Sequence, residues 1–355
     1  MRRWFDAHLD LAYLAECGRD MLAPLDPKAG PHPPASVTLP SLREGGIAAC
    51  LGTVFTEAFY PAKPADYMQV AYPVGDAEAA HTTGVRQLER YAEWFRAGEV
   101  GALLSGTRRA SEGPLRTPSN QRASNEPPRS PSIGILVECA DPIRTPDELS
   151  WWAERGVIVV GMSWVHGSRY SGGNGPSNNK TGITPIGRDF VRAMDHLHLI
   201  HDISHLSQRA TDDLLSLTDR PIIASHSNCR ALIDGKNERH LTDETIREVG
   251  RRGGVIGLNL CSPFLRPGLD RDKNERASID DCIRHVEHIA EIHGHTRGIG
   301  LGSDMDGGFG VLGLPEGIES PQDLSKIADA LLARGWSEEA VDAFAWGNWA
   351  RFFGL

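Results

Sequence analysis

Six ionisable side chains stand where apolar runs of this chain stop. In the segment FDAHLDL, residues 5–11, apolar and ionisable residues alternate, and a period of two places His8 and Asp10 on one face of a strand. Further on, ILVE ends in Glu138, LIHDISH in His205, PIIASH in His226 and GIGLGSD in Asp304. Three imidazoles and three carboxylates without a thiolate form a donor set for zinc, manganese, iron or cobalt. Copper(I) and iron–sulfur clusters would call for sulfur. In an extended strand His8 and Asp10 lie about 6.6 Å apart along the backbone, so both can close on one ion. His205 and His226 end consecutive apolar runs and can hold a second ion, with Glu138 placed to bridge the two. Ions about 3.5–4 Å apart would hold a hydroxide between them.

Each residue taken singly has a plainer explanation. A lone buried histidine is usually a hydrogen-bonded core residue. Asp10 could cap a following helix, Glu138 could pair with an arginine, and Asp304, followed by MDGG, could be turn chemistry. All of these would have to hold together at equivalent strand ends, which is the weaker explanation. The other histidines stay outside the set: His196, His198 and His201 fall at a helix end and the next strand. His285, His288, His293 and His295 read as surface residues on or after a helix. Cys139 reads as a small core filler. GLGSDMDGG lacks the GxGxxG spacing and a P-loop lysine, and there is no GxSxG elbow, so neither nucleotide binding nor a serine hydrolase is supported.

The elements that must position these groups alternate. Strand patterns cover 4–10, 46–55, 133–138, 157–163, 199–204, 221–225, 255–260 and 299–303. Several are continuously apolar, as strands covered on both faces are. Helical patterns cover 76–96, 146–155, 186–197, 208–217, 242–252, 279–293, 321–333 and 337–353. Eight strands in βα order predict an α/β fold, a (β/α)8 TIM barrel, spanning 1–355 as one domain. In such a barrel the C-terminal strand ends share one face, so five segments converge there. Asp6 is expected deeper in the barrel, orienting His8 from behind, with Phe5, Ala7, Leu9 and Leu11 facing the surrounding helices. Residues 105–132, rich in Ser, Pro, Arg and Asn, read as a flexible surface insertion, and 24–40 as a second long loop.

A net charge of −10 argues against nucleic acid or an acidic membrane as partner. Six cysteines without a CxxC pair read as reduced thiols, and no apolar run has signal-peptide or membrane-spanning length, so a cytoplasmic protein is expected.

With these residues laid out, the chain resembles the membrane (renal) dipeptidase family, peptidase family M19, among the metal-dependent amidohydrolase barrels. The matching stretches are DAHLDL, LVECADPI, GITPIGRDFVRAMDHLHLIHDISHLS, PIIASHSNCRAL, HLTDETIREVGRRGGVIGLNL, GIGLGSDMDG and WGNWARFF. The resemblance implies two divalent ions, zinc in the family. His8 and Asp10 would serve the first, Glu138 would bridge, and His205 and His226 would serve the second. Asp304 matches the acidic residue beside the activated water. Arg239 looks like the arginine that receives the substrate carboxylate, with Arg230 as its rival. Met162-Ser163-Trp164 stands where mammalian members have a Thr-His step, which leaves Trp164 and His166 as candidate substrate contacts; Cys261 replaces an aromatic residue. A small peptide substrate and a homodimer are implied.

The resulting expectation is a zinc dipeptidase in which a metal-bridging hydroxide attacks, Asp304 shuttles the proton and L-Xaa-D-Xaa substrates are accepted. An amidase or deacylase acting on an N-acyl amino acid or related metabolite would use the same site, and a non-catalytic metal-binding homologue is the reading from another class.

Overall fold

The computed structural model describes residues 1–60, 65–103, 130–177, 179–270 and 273–355. Of the expected insertion at 105–132, all but the last three residues lie outside the described residues.

Eight parallel strands form the centre: β1 (Trp4–Leu9), β2 (Ile47–Val54), β3 (Ser132–Val137), β4 (Val157–Gly161), β5 (Ile200–Asp202), β6 (Ile222–Ala224), β7 (Val255–Leu258) and β8 (Ile299–Leu301). Each pairs with the next and β8 returns to β1, so the eight strands close into a barrel. All eight stop one or two residues before the predicted end, because the chain leaves the ladder where it presents its polar residues. Short strands at Gly101–Ala102, Glu57–Phe59 and Ala71–Pro73 were not anticipated.

Helices follow the strands as their periodicity predicts, and their starts are written locally. Thr184, Ser207, Thr242 and Ser278 each accept a backbone N–H from the first turn of the helix they precede. The last helix is not continuous: Glu338–Asp342 and Asn348–Phe353 flank a π-helical turn at Ala343–Gly347. That turn lets Phe344 pack edge-on against Trp4 while Trp349 and Phe353 stack on Phe5.

Two apolar regions result. Outward residues such as Ile135, Val137, Ile256 and Leu301 pack under the flanking helices. A smaller cluster takes Phe5, Ala7, Leu51, Leu136, Val159, Ile223 and Val255 from successive strands and is closed by Trp349 and Phe353. It fills the barrel interior: a Cβ on Gly134 would meet Leu51, Leu103 and Ile158 side chains at 2.6–3.1 Å. Phe5 and Ala7 therefore belong to this inner floor, not to the layer under the flanking helices as expected, whereas Leu9 and Leu11 do lie in the outer layer. The cause is a break in alternation: the register of β1 on β2 shifts between Asp6 and Leu9.

Candidate metal centre

The residues expected from the sequence converge above that floor. His8 lies near the end of β1 and Asp10 just beyond it. Asp10 occupies the N-cap position of helix Leu11–Glu16, yet its side chain makes no capping bond. It points into the barrel instead, accepting a hydrogen bond from Thr53 of β2. Glu138 follows β3, and its backbone N–H bonds to Val54 O at 3.2 Å. His205, His226 and Asp304 follow β5, β6 and β8. His205 and Asp304 take left-handed backbone angles, φ +65° and +60°, a conformation that is costly outside glycine and that gathers at functional sites.

His8 Nε2 lies 3.7 Å from Asp10 Oδ1 and 3.5 Å from Glu138 Oε2. Glu138 Oε1 lies 3.3 Å from His205 Nε2 and 3.7 Å from His226 Nε2. Donor atoms within 4.8 Å of one another form the groups His8, Asp10, Glu138 and Glu138, His205, His226, with a third of His8, His226 and Asp304. Glu138 is common to the first two. All six side chains are buried.

A cation fits this donor set. His8 Nε2 and Glu138 Oε2 are buried and lack a hydrogen-bond partner, a state that native proteins rarely tolerate. The Nε2 atoms of His205 and His226 sit 3.0 Å apart, a separation that needs a proton or a metal between two lone pairs. Burial pushes Glu138 up to about 8 and both Asp10 and Asp304 up to about 7, with like charge from Glu138 adding to the shift at Asp10. Without positive charge this cavity disfavours the carboxylates it holds. Burial also drives His205 and His226 well below the usual imidazole range, which keeps them neutral as ligands must be.

Arg239 is buried beside the cluster. Its guanidinium donates to His226 O at 2.7 Å and to Ser227 Oγ at 3.1 Å, while Nε is buried and unpartnered. Its charge acts on both Asp304 and Glu138. Arg230 is engaged elsewhere, with His240 O and Gln208 Oε1 at 2.8 Å each. Trp164 packs 6.1 Å from the His205 ring and 5.1 Å from Phe55. His166 sits a step further out, 6.0 Å from Trp164 and from Tyr60.

One expectation needs correction. His285 is not a surface residue: it is fully buried, its Nδ1 accepts from the Cys229 backbone N–H, and its pKa is lowered to about 4 by burial. Asp6 does lie behind His8 as expected, and holds it through the backbone. It binds the His8 backbone N–H and the Ser303 N–H and hydroxyl.

The supporting residues were missed. Asn259 donates to Asp304 Oδ2 at 2.9 Å, Asn174 Oδ1 lies 3.2 Å from His205 Nδ1, and Ser225 with Asp202 lies behind His8 and His226. One signal was available: Asp202 precedes Ser204 at the spacing by which Asp6 precedes His8.

With this geometry in view, comparisons with known proteins give one family. The pattern of the membrane dipeptidase family (peptidase family M19) matches residues 120–354. An uncharacterized protein from the pqqA 5' region of Klebsiella pneumoniae is 32% identical over 201 residues, 55% of this chain and 71% of that protein. An uncharacterized dipeptidase of Schizosaccharomyces pombe is 34% identical over 151 residues, 42% of this chain; that match spans only 33% of the yeast protein's length. A metallopeptidase from Rhodobacter sphaeroides, solved with a phosphinate mimic of the dipeptide L-Ala-D-Ala, shares the fold at a TM-score of 0.78 and 23% identity, over 99% of each chain. Since the family pattern covers well over half of its length, the chain belongs to the membrane dipeptidase family, peptidase family M19.

Proposed function

We propose that this protein hydrolyses short peptides, most simply dipeptides, at a centre of two divalent cations, with zinc as one of the ions that suit its ligands. The observation that carries the reading is the sharing of Glu138 between two three-residue donor groups. His8 and Asp10 would hold one ion, His205 and His226 the other, with Glu138 common to both. When bound, such a pair would supply Lewis acidity to the scissile carbonyl and acidify a water toward neutrality.

The chain's own residues take the remaining tasks. Asp304, held by Asn259 and raised to about 7 by burial, would accept a proton and return it to the leaving amine. Arg239 offers a buried cation to the substrate's C-terminal carboxylate, which would set peptide length by charge pairing rather than by side-chain fit. Trp164 and His166 would line the approach from the β4 side. Acceptance of a D-residue at the C-terminal position, and hence of L-Xaa-D-Xaa substrates, is part of the proposal and draws support from the ligand of the Rhodobacter structure.

The test is metal analysis combined with a panel of L,L and L,D dipeptides and N-acyl amino acids, with and without chelator. Two ions per chain and chelator-sensitive dipeptide cleavage are expected. Faster turnover of an N-acyl amino acid than of any dipeptide would make the enzyme a deacylase, and metal binding without any turnover would make it a non-catalytic homologue.

A further inference from the structure

Behind the candidate ligands the same device is built twice. Asp6 Oδ1 accepts the N–H of His8, two residues on, at 3.2 Å and that of Ser303, on the neighbouring strand end, at 2.8 Å; Oδ2 accepts the Ser303 hydroxyl. Asp202 Oδ1 accepts the N–H of Ser204, two residues on, at 3.0 Å and that of Ser225, on the neighbouring strand end, at 2.9 Å; Oδ2 accepts the Ser225 hydroxyl. Each serine directly precedes a candidate site residue, Asp304 or His226. All four clamp residues are buried.

The two clamps differ in one respect. Ser303 Oγ has the Met305 N–H as its other partner, at 3.3 Å. Ser225 Oγ faces two imidazoles, His226 Nδ1 at 2.7 Å and His8 Nδ1 at 3.3 Å. With its proton directed to Asp202, the serine oxygen has two lone pairs left. Each can receive an Nδ1–H, which leaves both Nε2 atoms with lone pairs aimed at the cluster. Ser204 Oγ, 3.4 Å away, is the more distant alternative for the serine proton. The backbone is fixed as tightly as the hydroxyl, since a Cβ on Gly302 would lie 1.8 Å from Ser225 O.

We propose that Ser225, oriented by Asp202, is a positioning residue that holds His8 and His226 in the Nδ1–H tautomer, so that one hydroxyl prepares a ligand of each half-site. This rests on the two-cation reading given above. Tautomer and orientation of a ligating histidine are set by the partner of its other ring nitrogen, and loss of such a partner typically weakens metal affinity about tenfold to a hundredfold. Here a single partner serves both half-sites, so its removal weakens both together.

The test compares Ser225→Ala with Ser303→Ala in the otherwise intact chain. In metal-free protein, long-range 1H–15N spectra should show His8 and His226 as Nδ1–H tautomers in the wild type and in Ser303→Ala, and as mixtures in Ser225→Ala. Titration with zinc should then show about a tenfold to a hundredfold loss at both half-sites for Ser225→Ala only. Unchanged tautomers in Ser225→Ala, or equal weakening by both variants, would overturn the proposal. If Ser225→Ala does not fold, Asp202→Asn decides in the same spectra: it should disturb both tautomers, and leaving them intact would contradict the inference. The spectra need no metal, so a wild type that binds no cation would defeat the two-cation reading while the tautomers are still read independently.

Discussion

The mouth and the floor of this barrel lie along shared strands and obey opposite rules. On the floor, Phe5, Leu51, Leu136, Val159 and Ile223 meet Trp349 and Phe353, and burial there is apolar. Further along the same strands, burial is ionic: Glu138, His8 and their neighbours sit buried, with orphaned atoms and left-handed backbone. Apolar burial stabilises by about 25 cal/mol per Å², while a buried unpaired polar group costs about 1–3 kcal/mol. The floor is therefore what allows the mouth to be assembled, and the mouth reads as a site held for a ligand.

That contrast can be broken at either end. The largest effect is expected from Glu138→Gln, which removes the carboxylate common to both donor groups: both ions should be lost by elemental analysis and turnover should fall to background. Asp304→Asn should leave both ions in place and lower kcat about 10²–10⁴-fold, a range set by the loss of one proton-transfer group; full activity would remove Asp304 from the mechanism. At the floor, Trp349→Ala should destabilise the fold by about 3–5 kcal/mol in denaturant unfolding. The protein that remains folded should keep its metal content, since Trp349 bonds Leu301 O and stacks on Phe5 in the floor.

A smaller effect concerns pH. Burial raises Asp10 and Asp304 from 3.8 to about 7 and Glu138 from 4.5 to about 8. A raised folded-state pKa gives stability that is present below the unfolded value and lost as pH climbs through the folded one. The metal-free protein should thus lose stability between about pH 4 and 8, and metal binding, which needs the ionised forms, should compete with fewer protons at the upper end. The rise in Tm on adding zinc should accordingly be larger at pH 8 than at pH 6, measured by scanning calorimetry. An equal or smaller rise at pH 8 would mean these carboxylates are not ligands.

Much of this was legible in the sequence, because strands buried on both faces announce themselves as apolar runs and a polar residue at their ends stands out. All eight barrel strands and the six clustered residues came from that signal. What was not legible depended on register. Period-two reasoning carried Phe5 and Ala7 outward, and the shift between Asp6 and Leu9 that reverses them has no composition of its own. His285 was misplaced because a helix of mixed polarity does not reveal that Cys229 N–H and Leu265 O will receive its ring. Ser225 and Asp202 escaped notice since serine and aspartate at a strand end look like turn residues until their partners across the barrel are seen.

The central claim is that Glu138 stands between two cations, and anomalous diffraction from crystals of the zinc-loaded protein tests it most directly. Two peaks are predicted, about 3.5–4 Å apart, each within bonding distance of one Glu138 oxygen, one reached by His8 and Asp10 and the other by His205 and His226. A single peak, or two peaks that share no Glu138 oxygen, would contradict the account.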